Sequence, residues 1–197
     1  MSINTAPLTL IFSTHNAHKL EEVKKIIAPG IDLLSLTDIS VHDEIEENGH
    51  SFEENSLIKS SFIYSKTGKN CFADDSGLVI DALDGAPGIY SARYSGSRDM
   101  QVNLDLVLHN MQGKENRAAR FVCVISLYLD GIPHVFTGAI EGSITLVSSG
   151  SGGFGYDPIF QPAGYDYSFA EMSVELKNEI SHRAIAMKKL NAFLLNR

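Results

Sequence analysis

The sequence predicts an α/β fold, a long mixed β-sheet flanked by helices, and two observations carry that prediction. Through the first third, β-rich apolar runs alternate with stretches whose apolar residues recur at three-to-four spacing. Farther on, AARFVCVISLYLD at 118–130 is apolar on both faces of an alternating pattern, as suits a strand covered on both sides. The 197 residues, 44% apolar and 20% charged, suit one domain over 1–197, or one domain with a cleft between two lobes.

The elements follow in order. LTLIFST at 8–14 reads as a strand ending in small polar residues. From Asn16 the pattern turns helical through Leu20, Val23 and Ile26/Ile27, and Pro29-Gly30 stops it. Residues 31–36 form a second strand, followed by the acidic run His42 to Gly49. Ser51-Phe52-Glu53-Glu54 fits a capping box opening a helix to about Tyr64, closed by Gly68. Phe72 to Asp75 reads as a strand ending on two carboxylates, with a short strand-like stretch at Leu78 to Ile80 and a turn at GAPG, 85–88. A helix over about Asp99 to Met111 presents Val102, Leu106 and His109 at helical spacing. Gly131-Ile132-Pro133 then turns the 118–130 strand into an extended stretch, His134 to Val147, forming an antiparallel hairpin. A Gly-rich loop over Ser149 to Phe160 precedes a short helical piece at Ala170 to Leu176. The last helix buries Ile180, Ala184, Met187, Leu190 and Leu194.

Composition narrows the function. A net charge of −8 and a pI near 5.3 argue against a broad nucleic-acid surface. An anionic small ligand would need locally concentrated Lys and Arg, and a metal ion. No window reaches the roughly 18 apolar residues of a membrane span, and the N-terminus carries neither the basic nor the apolar region of a signal peptide. Cys71 and Cys123 sit in apolar runs that fit no zinc pattern, so buried thiols in a reducing cytoplasm are expected.

Six polar clusters carry the chemistry, each with a plainer alternative beside it. Asp74-Asp75 is costly in a buried strand unless a positive partner shares the site, and a hard divalent cation is the usual one. Asp-Asp-Ser-Gly is also ordinary turn chemistry. Ser13 to Lys19 is a strand-to-helix turn whose N–H groups, small polar side chains and one lysine suit a phosphate chain; a simple cap with a solvated Lys19 is the alternative. The GxxxxGK[ST] pattern is absent, which excludes a P-loop NTPase. Asn55 and Lys59 share one helix face, where the lysine serves either solubility or a second phosphate contact. Most of the acidic run is a solvated face, with Glu47 the carboxylate placed to reach a metal. In the loop at 149–160 glycines flank Phe154, Tyr156 and Asp157, which is either a flexible turn or a close approach to a flat ligand. His182-Arg183 is either surface or a pair of donors for the oxo groups of a base.

Taken together, Thr14-x-Asn16-x-x-Lys19-x-x-Glu22, Phe52-x-Glu54-Asn55-x-x-x-Lys59, ADDSGL at 73–78, GAPGIYSARYSG at 85–96, GGFGYDPIF at 152–160, and Lys177 with SHRAIAMKKL at 181–190 resemble the inosine/xanthosine triphosphate pyrophosphatases. The likeness runs from about Leu8 to Leu195. It implies two lobes around a central cleft, a homodimer with the long hairpin as its candidate surface, and Mg²⁺-dependent hydrolysis between the α and β phosphates of ITP, dITP or XTP. By the same resemblance Thr14, His15, Asn16, Ala17, His18 and Lys19 hold the triphosphate, and Lys59 adds charge. Glu47 and Asp75 take the metal, Asp75 accepts the proton of the attacking water with Asp74 as its partner, and Ser76 binds substrate. Phe154, Gly155, Tyr156 and Asp157 enclose the base, Phe154 by stacking; Lys177, His182 and Arg183 complete the site. This chain departs from many relatives in carrying His15 where they have Gly, and its 113–116 segment is short.

The Maf-type pyrophosphatases, which prefer modified pyrimidine nucleotides, fit less well because of the SHR and GGFGYD segments. A silent nucleotide-binding module is the reading from another class, against which every expected polar position stands. A haloacid-dehalogenase-type phosphatase would need Asp-x-Asp after the first strand and is excluded.

Overall fold

A computed structural model describes residues 7–196. Six strands form one sheet in the order β2-β1-β3-β4-β5-β6. They are β1 (Leu8–Phe12), β2 (Ile31–Ser35), β3 (Cys71–Ile80), β4 (Ala118–Leu129), β5 (Ile132–Ile144) and β6 (Phe160–Pro162). The helices are α1 (Ala17–Ile26), α2 (Phe52–Thr67), α3 (Met100–Asn110), α4 (Val174–Ile180) and α5 (His182–Leu195). β1 pairs in parallel with both β2 and β3, whereas β5 and β6 are antiparallel, so the sheet is mixed as expected.

The chain divides into two compact units, each assembled from separated segments. Of the described residues, the first holds 7–74, 124–136 and 187–196. Ile11, Leu36, Val41, Ile63 and Cys71 form a core there, and Phe12 stacks on Phe72 at 4.6 Å, its partner across the parallel ladder. The second unit holds 75–123 and 137–186, with a core of Leu78, Ile80, Leu104, Val107, Phe121, Tyr156, Phe160 and Phe169 among others. Within it, the half-buried Arg117 clamp donates to the carbonyls of Met111, Ile144 and Thr145. Among the described residues no helix is long and apolar enough to cross a membrane.

Several boundaries differ from the expectation, each for a physical reason. Asp74 and Asp75 do not end a strand; they lie inside the ten-residue β3, both buried. Helix α3 is in place, but its inward face is Asn103, Leu104 and Val107, while Val102 and His109 are exposed. A polar residue takes the inward position because its amide is satisfied there: Asn103 accepts from the Ser95 N–H and donates to the carbonyls of Ala92 and Ser97. The hairpin turn is the two-residue Asp130-Gly131, both at positive φ, so Ile132 and Pro133 already belong to β5. The piece expected at Ala170 to Leu176 is two elements, a 3₁₀ turn at Phe169–Glu171 and then α4, which carries Lys177. Ser51 caps α2 through the Glu54 N–H, yet Glu54 returns its carboxylate to the His50 N–H, one residue before the cap.

Candidate active site

The first unit gathers a phosphate-type turn, two lysines and two carboxylates. Thr14 bonds back to Phe12, and the Thr14 hydroxyl accepts from the Asn16 N–H. Asn16 caps α1 by accepting from the Lys19 N–H at 3.2 Å. His15, Asn16, Ala17 and His18 are exposed, as a ligand-facing turn requires, while Ser13 beneath them is buried and donates to the Lys59 carbonyl. Lys19 is not the solvated surface lysine: its Nζ lies 3.0 Å from an oxygen of Asp74, whose side chain is almost wholly buried.

The helix α2 supplies the second lysine. Its one-turn spacing puts Asn55 and Lys59 on the buried face, so solubility is not the role of Lys59. Lys59 Nζ pairs with Glu47 at 2.9 Å, and Asn55 Oδ1 accepts from the Gly49 N–H at 2.9 Å. Those two contacts fasten the end of the acidic run against α2. Consecutive residues of a strand face opposite ways, so Asp74 takes Lys19 while Asp75 accepts locally from the Ser76 N–H at 3.0 Å.

In the second unit, the Gly-rich loop, α4 and α5 bring together the remaining residues. Asp157 opens a 3₁₀ turn, and its Oδ2 accepts from both the Phe154 N–H at 2.8 Å and Lys177 Nζ at 2.6 Å. Gly153 has φ +69°, and a Cβ there would overlap the Asp157 carboxylate. The loop is therefore shaped by Asp157 and is not merely a flexible turn. Lys177 lies 4.9 Å from the centre of the Phe154 ring, and the Arg183 guanidinium carbon 6.0 Å from it. Arg183, 1% exposed, donates to the Ser76 hydroxyl at 2.9 Å. His182 is also buried and stacks on Phe121 with centroids 4.7 Å apart. The surface reading of His182-Arg183 is thus overturned. Gly138 makes the placement possible: any Cβ there would strike the His182 carbonyl and the Ala186 N–H, so the first turn of α5 rests directly on β5. Tyr156 is buried in the second core and donates to the Ser91 carbonyl; burial raises its phenol. Gly155, at φ +60°, completes the loop between Phe154 and Tyr156.

The sequence reading missed Phe121 as the platform of His182, because nothing local marks a contact 61 positions away. It also missed Asp43, whose carbonyl accepts from the His15 ring at 3.0 Å and whose carboxylate takes Lys66 at 2.7 Å. Among the described residues no group of three or more His, Cys, Asp or Glu side chains is arranged to hold a metal ion. A Mg²⁺ ion keeps several waters and uses one or two carboxylates plus substrate phosphates, and Glu47 and Asp75 are each hard oxygen donors of that kind.

Known proteins resemble this chain over nearly its whole length. The chain is 45% identical to a dITP/XTP pyrophosphatase of Christiangramia forsetii over 188 residues, covering 95% of this chain and 99% of that one. It is 46% identical to a dITP/XTP pyrophosphatase of Bacillus subtilis over 189 residues, 93% and 96% of the two chains. The solved structure of the Staphylococcus aureus Ham1 protein matches with a TM-score of 0.88 at 38% identity, over 95% of this chain and 98% of that one. A nucleoside-triphosphatase, dITP/XTP pyrophosphatase, from Mycobacterium abscessus matches with a TM-score of 0.77 at 40% identity, over 95% and 99%. With a family model matching residues 10–193 as well, the chain belongs to the Ham1 family.

Proposed function

We propose that this chain is a nucleoside triphosphate pyrophosphatase that hydrolyses ITP, dITP and XTP to the monophosphate and pyrophosphate, clearing them from the nucleotide pool. The observation that carries the reading is the aromatic-cationic cluster: a Phe154 ring with Lys177 and Arg183 beside it, Lys177 fixed by Asp157. A flat purine stacks on such a ring, and cationic donors suit a 6-oxo group where adenine would present an amine. One buried donor left facing a donor costs about 1–3 kcal/mol, or roughly ten- to a hundredfold against ATP. The names of the relatives, dITP/XTP pyrophosphatases, point to two of these three substrates.

The triphosphate is assigned to the turn Thr14 to Lys19 and to Lys59. In the ligand-free protein Lys19 and Lys59 are neutralised by Asp74 and Glu47, and the incoming phosphates take over that role. Mg²⁺, with Glu47 and Asp75 as its carboxylates, supplies further neutralisation of the polyphosphate when bound. Asp75 orients the attacking water and accepts its proton as the oxygen bonds to the α phosphorus and the bond to the bridging α–β oxygen breaks. Because a neighbouring cation lowers a carboxylate's basicity, positioning the water is the larger part of that task. The two buried cysteines suit a cytoplasmic protein, and the exposed Ile132 and Val135 of β5 suit a homodimer interface. Sedimentation at micromolar concentration tests the dimer.

The test of function is a substrate panel. ITP, dITP and XTP should exceed ATP and GTP by tenfold or more in kcat/KM, and Asp75→Asn should abolish turnover while leaving the circular dichroism spectrum intact. Equal turnover of ATP, or a fully active Asp75→Asn, removes the assignment.

A further inference from the structure

We infer that His15 is a positioning residue, a strut that holds the phosphate turn in place by bracing it against Asp43. The inference rests on the proposed use of that turn for the triphosphate. Between its ends, which Ser13 and Lys19 tie to α2 and β3, contacts of the turn run back to β1 or stay inside it: Thr14 N–H to Phe12, Asn16 N–H to Thr14, Lys19 N–H to Asn16. His15 instead reaches a second segment, with Nε2 3.0 Å from the Asp43 carbonyl oxygen. A carbonyl only accepts, so the ring donates through Nε2–H, a proton present both in that neutral tautomer and in the cation.

The far end of the strut is anchored. Lys66 of α2 reaches the Asp43 carboxylate at 2.7 Å and holds its carboxyl below the ordinary range. The same segment is tied to α2 again at its other end, by Gly49 N–H to Asn55 at 2.9 Å and His50 N–H to Glu54 at 2.6 Å. Ile45 between them packs on the first core. Although 42–49 has no regular secondary structure, it is fastened at both ends and can bear a load. A glycine at position 15 would have no side chain to make the contact. The turn of this chain is therefore set by a side chain in addition to its backbone, and the strut acts on triphosphate binding without touching the reacting atoms.

Three variants test it: His15→Gly, His15→Gln, whose amide N–H has similar reach, and Lys66→Met, which loosens Asp43 from α2. The readouts are steady-state ITP hydrolysis and amide exchange over residues 13–17 of the ligand-free protein. His15→Gly should raise KM about three- to tenfold with kcat within about twofold, and should speed exchange in the turn. His15→Gln should restore both. Lys66→Met should cost less on top of His15→Gly than alone, because both act through Asp43. Unchanged KM and exchange in His15→Gly, no rescue by Gln, or strict additivity with Lys66→Met each overturns the strut. If the wild type leaves ITP intact, the proposed function falls; the exchange results then decide the strut by themselves.

Discussion

At the scale of the residue, charge is placed before substrate arrives. Lys19 and Asp74 are held in a short, largely buried pair, and removing one member of such a pair costs about 3–5 kcal/mol because the other charge is stranded. Lys19→Met should therefore destabilise the fold, raise KM and lower kcat. Adding Asp74→Asn should return most of the stability and none of the activity. Chemical denaturation and initial rates on the four proteins check this, and recovery of activity in the double variant would contradict a phosphate role for Lys19. Cys71 gives a pH prediction. Burial pushes its thiol up to about 12, whereas the unfolded chain's thiol ionises near 8.5. The folded state thus keeps a proton that the unfolded state loses, so its stabilising effect is complete below about pH 8.5 and declines as pH rises from there towards 12. Tyr156, raised in the same way, adds to the decline above about pH 10. Denaturation midpoints should fall through this window, with a shallower fall in Cys71→Ala measured against its own neutral-pH value. The native thiol should also resist alkylation at pH 8.

Elements show why some of the site was legible and some was not. The turn before α1 and the cap of α2 rest on neighbours within four residues, so Asn16 and Ser51 were readable from spacing, as was the shared face of Asn55 and Lys59, but not the contacts of those two with Gly49 and Glu47. The inward face of α3 was misread because Asn103 is buried by three hydrogen bonds, which hydrophobic spacing cannot register. The run through Asp74-Asp75 reads as a strand end on a pair that is costly without a positive partner; Lys19, 55 positions away, supplies the charge that offsets Asp74. Likewise, Gly153 was read as part of a Gly-rich loop, and its reason is one carboxylate, Asp157. Gly153→Ala forces a side chain into positive φ and against Asp157, for a cost of about 1–3 kcal/mol. Because Asp157 also holds Lys177 and Phe154, kcat/KM for ITP should drop at least tenfold. A thermal melt and a rate measurement decide it; an unaffected rate would mean that the loop's shape is not what positions Lys177.

At the scale of the whole molecule, the order of elements and the mixed sheet were written in periodicity, since alternating strands and amphipathic helices each leave a local trace. The division into two units was not, because β1 and the later part of α5 (187–195) fall in one unit while the first turn of α5 falls in the other. Function enters at this scale too: an acidic chain of net charge −8 buries Lys59, Lys177 and Arg183, as the proposed binding of a polyphosphate and an oxo-purine requires. The central claim is the bond that breaks. Phosphorus NMR of ITP incubated with the protein and Mg²⁺ should show IMP and pyrophosphate accumulating together, with ATP and GTP nearly untouched. IDP and orthophosphate from ITP would place the attack at the γ phosphorus and contradict the account.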